Sequence, residues 1–385
     1  MRRFALAAVL ATPMLLTGCG LFGEKDAARA PMELVDFDAS VGVDRVWRTS
    51  VGKGLGKSST GLRPTYGQGL IWAADHRGRV FGVDPVDGDT VRSFDLDMSL
   101  SAGPSVYDDL MLLGTLDGQL LVVDTASGSI LRRVQLSSEI LAAPLLSDGI
   151  IVVRCIDGRV FGLDADTGRR EWVYDRSVPL LTLRGHSAPV IRGGQVFIGH
   201  DDGSVTALGL DDGNLLWEQR IGTPEGRTQL DRLADIDGPM VIVGLDLYSA
   251  SQRGRMASVA LDSGRLLWVK EVGSDTGLSV SRTRLVLSDT GDRVWLLDRR
   301  SGSTEWTNEQ LLRRGVTRPV VHGNYVAVAD QEGYIHWLDD DTGDFVARER
   351  ASKEPPMGSP LVVDDTLFLL DADGRLTAWR LSGAS

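Results

Sequence analysis

The stretch DGRVFGLDADTG at residues 157–168 decides the fold, because close copies of it recur along the chain. DGQLLVVDTASG occupies residues 117–128, and EGYIHWLDDDTG occupies residues 332–343. Each copy holds an Asp-Gly or Glu-Gly pair, a short run that ends in an apolar residue and Asp, and then a second glycine. The first glycine recurs at Gly78, Gly118, Gly158, Gly203, Gly254, Gly333 and Gly374, with Asp292 in its place in the sixth copy. Eight copies with a period of about 42 residues are typical of a propeller or a solenoid.

Each copy predicts four antiparallel strands. In the second copy, LMLLGT (110–115) is an apolar run typical of a buried strand. Asp117 and Gly118 then supply a hairpin turn, in which glycine takes the positive φ. QLLVVD (119–124) follows as the partner strand, and the more polar SILRRV (129–134) leaves as the outer one. We expect almost no helix after the N-terminal segment, because no stretch combines a 3.6-residue period with helix caps.

The two ends of the repeat region indicate how a ring would close. The eighth copy ends at DGRLTAWR (373–380) without an outer strand, and VDRVWRT (43–49) precedes the first copy and looks like that missing strand. Pairing the two would remove an exposed sheet edge. We therefore predict an all-β, eight-bladed β-propeller of four-stranded antiparallel blades over residues 41–385, with the ring closed by an N-terminal strand. A linear solenoid with polar caps is the alternative.

The first 18 residues are typical of an export signal. Arg2 and Arg3 precede an apolar run of 13 residues, 4–16, which is shorter than the roughly 20 residues that span a bilayer. The sequence LTGC at 16–19 resembles the bacterial lipobox, which implies removal of residues 1–18 and lipidation of Cys19. A chance cysteine after an ordinary signal peptide is the alternative. Residues 19–40 are then predicted to be a lipidated, flexible tether, and several acyl chains suffice for stable anchoring.

The composition argues against several classes of partner and site. The net charge is −12, and −14 without residues 1–18, so we expect no nucleic acid as the main partner. Two cysteines, Cys19 and Cys155, cannot build a disulfide framework or a zinc site. We interpret Cys155 as a small buried hydrophobic residue; a reactive thiol is the alternative.

A tryptophan often follows the second glycine. The pattern apolar-Asp-x-x-(Thr/Ser)-Gly-x-x-x-Trp, clearest at 163–172, resembles the tryptophan-docking repeat of pyrroloquinoline-quinone propellers. The resemblance implies that the tryptophan packs against the neighbouring blade. Gly209 and Ala260 replace the aspartate in two copies, so the ring is irregular. We expect the docking role in four blades, through Trp172, Trp217, Trp268 and Trp306.

Local stretches are similar to one family in particular. VWRTSVGKG (46–54), LLTLRG (180–185) and DRLADID (231–237) resemble the BamB family, the lipoprotein propellers of the outer-membrane β-barrel assembly (BAM) machinery. The resemblance implies a monomeric, non-enzymatic scaffold, anchored to the outer membrane and facing the periplasm. It also implies that the chain binds the POTRA domains of BamA and assists insertion of β-barrel proteins. The docking residues would be Leu181, Leu183, Arg184, Asp235 and Asp237.

The character of these loops agrees with a docking role. Residues 178–184 place four large apolar side chains and an arginine in a loop, which either packs on the ring or binds a partner. Asp235 and Asp237 project to one side if the backbone is extended, where they would bind a basic residue of the partner or hold Arg184 in place. The alternatives are leucines that belong to the blade core and an acidic loop that is simply solvated. Separately, strand edges at the rim would hold nascent outer-membrane proteins by β-augmentation.

The alternative function is that of a pyrroloquinoline-quinone-dependent periplasmic dehydrogenase, with a bound Ca²⁺ and an aspartate as general base. The longest steps between repeats, from Gly158 to Gly203 and on to Gly254, leave room for loops and not for a cofactor cap. The five histidines fall in different blades without ligand spacing. We therefore expect no catalytic residue, no cofactor and no metal. A polysaccharide-binding propeller, the third class, would need exposed aromatic side chains clustered on one face.

Overall fold

The computed structural model describes residues 30–54, 56, 61–176, 187–222, 235–236, 238–252, 254–281 and 283–383. These residues form 33 β-strands and no helix. Accordingly, no helix that would span a membrane is found within the described ranges. Residues 1–29, with the predicted signal and Cys19, lie outside them.

The strands follow one another blade by blade. An N-terminal strand, β1 (Gly42–Ser50), and a two-residue strand, β2 (Gly61–Leu62), precede the first blade. Blade 1 contains β3 (Thr65–Gly67), β4 (Leu70–Ala74), β5 (Arg79–Val83) and β6 (Thr90–Asp95). Blade 2 contains β7 (Ala102–Tyr107), β8 (Leu110–Gly114), β9 (Gln119–Asp124) and β10 (Ile130–Gln135). Blade 3 contains β11 (Leu145–Ser147), β12 (Ile150–Arg154), β13 (Val160–Asp164) and β14 (Arg170–Tyr174).

The second half of the ring repeats this order. Blade 4 contains β15 (Val190–Arg192), β16 (Gln195–Gly199), β17 (Ser204–Gly209) and β18 (Leu215–Arg220). Blade 5 contains β19 (Val241–Val243), β20 (Asp246–Ala250), β21 (Met256–Ala260) and β22 (Leu266–Lys270). Blade 6 contains β23 (Leu278–Ser281), β24 (Arg284–Ser288), β25 (Val294–Asp298) and β26 (Thr304–Asn308). Blade 7 contains β27 (Val320–His322), β28 (Tyr325–Ala329), β29 (Tyr334–Asp339) and β30 (Phe345–Arg350), and blade 8 adds β31 (Leu361–Val363), β32 (Thr366–Leu370) and β33 (Arg375–Ser382).

The eight sheets form the predicted eight-bladed propeller. Within each blade the strands pair antiparallel in chain order, and the second and third strands are buried on both faces, as β8 and β9 are in blade 2. Outer strands such as β10 alternate between half-buried and exposed residues. This gradient arises because neighbouring blades stack on both faces of the central strands, whereas the outer strand meets solvent. One addition was not predicted: β2 pairs parallel with β7 as a fifth strand of blade 2.

The N-terminal strand closes the ring, as predicted. Blade 8 has the strand order β1-β33-β32-β31, and the register of the closing pair runs from Gly42 opposite Ser382 to Ser50 opposite Arg375. The first and last strands of the propeller are therefore hydrogen-bonded neighbours, and blade 8 draws its strands from both ends of the repeat region.

The four predicted tryptophans dock on the next blade. Each indole Nε1 donates to a backbone carbonyl there, for example from Trp172 to Leu210 O at 2.7 Å and from Trp217 to Leu261 O at 2.9 Å. The indoles of Trp268 and Trp306 do the same. Each ring covers the second glycine of the neighbouring repeat: a Cβ on Gly264 would lie 2.7 Å from the Trp217 ring, and its φ of +69° is unfavourable for other residues. Glycine is therefore required at these positions for two reasons: it adopts the positive φ of the turn, and it leaves room for the indole of the docking tryptophan.

Trp47 on β1 is a fifth docking tryptophan, which was not predicted. Its Nε1 donates to Pro85 O at 3.0 Å, and its ring covers Gly88 of blade 1. On the other side it packs against Phe368, with ring centroids 5.6 Å apart. The closing strand therefore binds blade 8 through its backbone and blade 1 through one side chain.

Residues 30–41, called the N-terminal strap below, pack along blade 7. Arg313 Nε donates to Ala30 O at 2.8 Å, and Arg348 Nη1 donates to Val35 O at 2.9 Å. Phe37 stacks on Phe345 with centroids 5.5 Å apart, and the backbone N–H of Ser40 donates to Val346 O. Residues 30–40 were predicted to be the end of a flexible tether; instead they are hydrogen-bonded to the ring.

Cys155 follows β12 and is buried. Burial raises the pKa of its thiol to about 11, so the thiolate is scarce at neutral pH. The interpretation of Cys155 as a small core residue is confirmed.

Candidate partner-binding face

The connections between blades lie on one end of the ring, called the loop face here. They share it with the turn between the second and third strand of each blade, because the two are hydrogen-bonded: Ile140 N donates to Thr115 O, and Gly222 N donates to Gly203 O. Among the described residues, the connections that form the loop face are 96–101, 136–144, 175–176, 187–189, 221–222, 235–236, 238–240, 271–277, 309–319 and 351–360. The described ends of both predicted docking loops are on this list, so those ends share one face.

Most predicted docking residues lie outside the described residues. Leu181, Leu183 and Arg184 fall in residues 177–186, and Asp237 is likewise not described. Their contacts stay a prediction. The described ends of the two loops show how each loop is held.

The first loop, residues 175–188, is attached at both ends. At its start, Arg176 Nη2 contacts Asp202 Oδ2 at 2.7 Å and Glu218 Oε1 at 2.9 Å, both in blade 4. At its end, Ser187 O accepts a hydrogen bond from Arg154 Nη1 at 3.1 Å. The loop is therefore fixed to blade 4 at one end and to blade 3 at the other.

The second loop, residues 223–237, is hydrogen-bonded to the first where the C-terminal ends of the two loops lie next to each other. Ser187 Oγ donates to Gly238 O at 3.2 Å, and both residues are buried. Ile236 N donates to His200 O in blade 4, and Gln252 N of blade 5 donates to Asp235 O. The two loops are thus hydrogen-bonded to each other over blades 3 to 5.

Asp235 itself is buried, with 0% of its surface exposed. The extended-backbone argument placed it on the surface with Asp237. A carboxylate without exposed surface does not meet a partner's side chain directly. The other predicted role, in which Asp235 holds Arg184 in place, stays a prediction, because Arg184 lies outside the described residues.

A buried ion pair lies beneath the two loops and was missed by sequence reasoning. Arg154 Nη2 contacts Asp201 Oδ1 at 2.8 Å, with side chains 7% and 6% exposed. Removing one partner of such a pair costs far more than the pair gains, because the remaining charge stays buried. The signal was present in the sequence: Arg154 directly follows the apolar run at 150–153, where a solvated charge is unexpected.

His200 is buried beside this pair. Its Nε2 lies 2.8 Å from Thr206 Oγ1. Burial, followed by the nearby cations Arg154 and Arg176, lowers its pKa to about 3 against the opposing effect of Asp202. The imidazole is therefore neutral in the folded protein at and well below neutral pH.

We expect His200 to destabilise the fold in mild acid. Between pH 8 and pH 5 the unfolded chain takes up a proton at a histidine pKa near 6.5 and the folded chain does not, so folding loses about 2 kcal/mol. The loss begins as the pH falls below about 6.5 and continues toward the lowered pKa of the folded state. Urea unfolding of the wild type and of His200→Gln, at both pH values, measures it.

The His200→Gln protein should show the smaller loss of stability on acidification. Other buried histidines contribute equally to both proteins, so they cancel in this comparison. An equal decrease in the two proteins would show that His200 is protonated in the folded state.

The described histidines do not converge. His76, His200, His322 and His336 each have separate partners, namely Gly54 O, Thr206, Asp365 O with Trp337, and Asp330 with Arg348. His186 lies outside the described residues. Across the ranges that the structure describes, no group of three or more His, Cys, Asp or Glu is arranged to hold a metal ion. None of the nine tryptophans, all of which are described, is exposed.

Comparison with known proteins identifies close relatives. The family model described as "Outer membrane protein assembly factor BamB" matches residues 76–308 and 309–384. The protein of that name from Pseudomonas aeruginosa is 43% identical over 375 residues, which cover 97% of this chain and 98% of the relative. The protein of that name from Xanthomonas campestris is 39% identical and covers 99% of this chain.

Solved structures agree on the fold. The crystal structure of BamB from Moraxella catarrhalis superposes with a TM-score of 0.80 at 29% identity, covering 88% of this chain and 100% of that one. The quinohemoprotein alcohol dehydrogenase ADHIIG from Pseudomonas putida superposes with a TM-score of 0.69 at 13% identity, covering 89% of this chain and 77% of that one. The similarity to the second structure concerns the propeller fold alone.

Proposed function

Because the chain belongs to the BamB family of outer membrane protein assembly factors, we propose that it is a lipid-anchored scaffold of outer-membrane protein assembly. It is anchored through Cys19, faces the periplasm and binds POTRA domains of BamA with the loop face of blades 3 to 5. The docking residues are Leu181, Leu183 and Arg184, with Asp235 and Asp237 in support. The protein has no catalytic role in this proposal, and the dehydrogenase alternative has only similarity of fold in its favour.

The hydrogen bond between Ser187 and Gly238 is the observation that carries the proposal. It joins the ends of two long loops that come from different blade connections. Arg154 and Arg176 fix the same loops to the ring through the contacts described above. Fixing the described ends of both loops to the ring supports the proposal, because attachment that is already made in the free protein lowers the entropy lost on binding.

The rim of the same blades offers a second surface for the family's role. Exposed apolar side chains occur on the outer strands of blades 3 to 5, at Val173, Leu215, Leu216, Leu267 and Val269. Strands β14, β18 and β22 end their sheets, so one backbone edge of each has no strand partner within the described residues. An extended segment of a nascent β-barrel protein is the kind of ligand that such an edge accepts.

Substitution of the first loop is expected to abolish recovery of BamA. Truncation of an apolar anchor and an arginine at the centre of an interface typically costs about 2 kcal/mol or more each, which lowers affinity at least tenfold. The test is affinity purification of the lipidated Leu183→Ala/Arg184→Ala protein from membranes, with BamA quantified in the eluate.

The matched control is Leu245→Ala/Arg192→Ala. It removes an exposed leucine and an exposed arginine at the turns between the first and second strands of blades 5 and 4, away from the loop face, and should recover BamA as the wild type does. Undiminished recovery by the loop variant, with native circular dichroism, would refute the docking assignment.

A further inference from the structure

Two cavities lie on the axis of the ring. One has a volume of about 190 Å³ and the other about 540 Å³. All eight blades contribute to their lining, blades 1 and 2 through their first strands and blades 3 to 8 through the segments that precede them. The residues are Thr65, Ser105, Ala143, Ala188, Pro239, Thr276, Thr317 and Ser359. The cavities are therefore parts of the central channel, and the larger one opens among the connections of the loop face.

Arg63 lines both cavities. It directly follows β2, and its backbone N–H donates to Gly103 O at 3.0 Å. Its aliphatic stem lies over Gly358, where an added Cβ would be 3.4 Å from Arg63 Cγ. The side chain is accessible to channel water, yet protein surrounds it, and this desolvation lowers the pKa of the guanidinium.

Arg318 lines the larger cavity with Arg63. Its Nε is buried and has no hydrogen-bond partner. Burial, and after it the positive charge of Arg63, lowers the pKa of Arg318 to about 10. Both arginines line the same cavity, where their positive charges repel each other.

No carboxylate offsets this repulsion in the part of the chain that the structure describes. Asp275 lines the same cavity, but no acid affects the pKa of either arginine. By contrast, the buried Arg154 and Arg314 have the acidic partners Asp201 and Asp330. Two like charges that face one cavity without a counter-ion repel each other, and a bound anion relieves that repulsion.

We propose that Arg63 and Arg318 form an anion-binding site at the channel mouth that takes the phosphate or carboxylate group of a small ligand. The planar guanidinium fork matches both groups in a bidentate geometry. Hydroxyl groups of Thr276, Thr317 and Ser359 line the same cavity and supply further hydrogen-bonding groups. The larger cavity has room for a ligand beyond its anionic group.

Isothermal titration calorimetry tests the site. Full-length protein purified in detergent is titrated with inorganic phosphate and, separately, with citrate, in a buffer free of both. We expect saturable binding of at least one anion, weakened tenfold or more by Arg63→Gln and by Arg318→Gln. Arg133→Gln, which removes an exposed arginine of the outer strand β10, should keep the wild-type affinity. Absence of binding to both anions, or equal binding by all four proteins, would overturn the proposal.

Thermal unfolding without added anion gives an independent result. Arg318→Gln removes one of two repelling charges, so its melting temperature should equal or exceed that of the wild type. The anion that binds should raise the wild-type melting temperature and leave that of the variant unchanged. A lower melting temperature in the anion-free variant would instead assign Arg318 a structural role and count against the site.

Discussion

A chain that begins at residue 51, and so lacks β1, is expected to lose cooperative unfolding. Without β1, the outer edge of β33 is unpaired, and Phe368 and Gly88 lose their contacts with Trp47. Loss of a buried tryptophan side chain alone costs about 3–5 kcal/mol, and a typical domain has only about 5–15 kcal/mol in total. Urea denaturation followed by circular dichroism and tryptophan fluorescence measures the effect.

A chain that begins at residue 42 is the matched control, because it keeps β1 and loses the N-terminal strap. It should unfold cooperatively with a smaller loss of stability. If the chain from residue 51 unfolds with the same midpoint as the chain from residue 42, closure by β1 contributes little and the other seven blades suffice.

Trp217→Ala is expected to destabilise the propeller by about 3–5 kcal/mol. Trp217 is 9% exposed and packs against Phe197 with centroids 5.8 Å apart. The substitution leaves a cavity over Gly264 and takes the indole donor away from Leu261 O. The free energy of unfolding in urea measures the loss.

Trp217→Phe separates the two contributions. Phenylalanine refills much of the space between blades 4 and 5 but offers no donor to Leu261 O, so a smaller loss is expected, of about 1–3 kcal/mol. If the free energy of unfolding of Trp217→Ala lies within about 0.5 kcal/mol of the wild-type value, docking tryptophans do not hold the blades together.

The repeat predicted the ring because its signals are local. Positive φ at the second glycine, as in Gly168 and Gly213, is a requirement of the turn itself and is visible in the sequence. Even the exception follows the pattern: Asp292, which replaces the first glycine in the sixth copy, takes a φ of +69°. Aspartate tolerates this conformation better than most residues.

What was missed depends on contacts between distant residues. β2 has two residues and therefore no periodicity to detect. The strap is held by Arg348 and Arg313, more than 280 positions along the chain. Trp47 has Val43 four positions before it, where the other docking tryptophans have glycine, because its blade is assembled from both ends of the repeat region.

The candidate site was predicted more from resemblance than from physics. The loop at 178–184 could be identified from composition alone, because loops are normally polar and this one is apolar. The described ends of both loops lie on one face, as expected. The burial of Asp235 was not predicted. The sequence argument used only the alternation of side chains along an extended backbone, which takes no account of cover by a neighbouring blade. Arg63 and Arg318 lie 255 positions apart, and only the closed ring brings them to one cavity.

The N-terminal strap has a consequence for mechanical load. Any tension applied to the chain before residue 30 acts first on the bonds at Ala30, Met32 and Val35 and on the Phe37–Phe345 stack. These contacts break one after another, and each rupture lengthens the free chain and relaxes the pull. The β1–β33 pairs that keep the ring closed bear the load only after the last of these contacts has broken, so the strap shields the ring closure from a pull on the N-terminal segment.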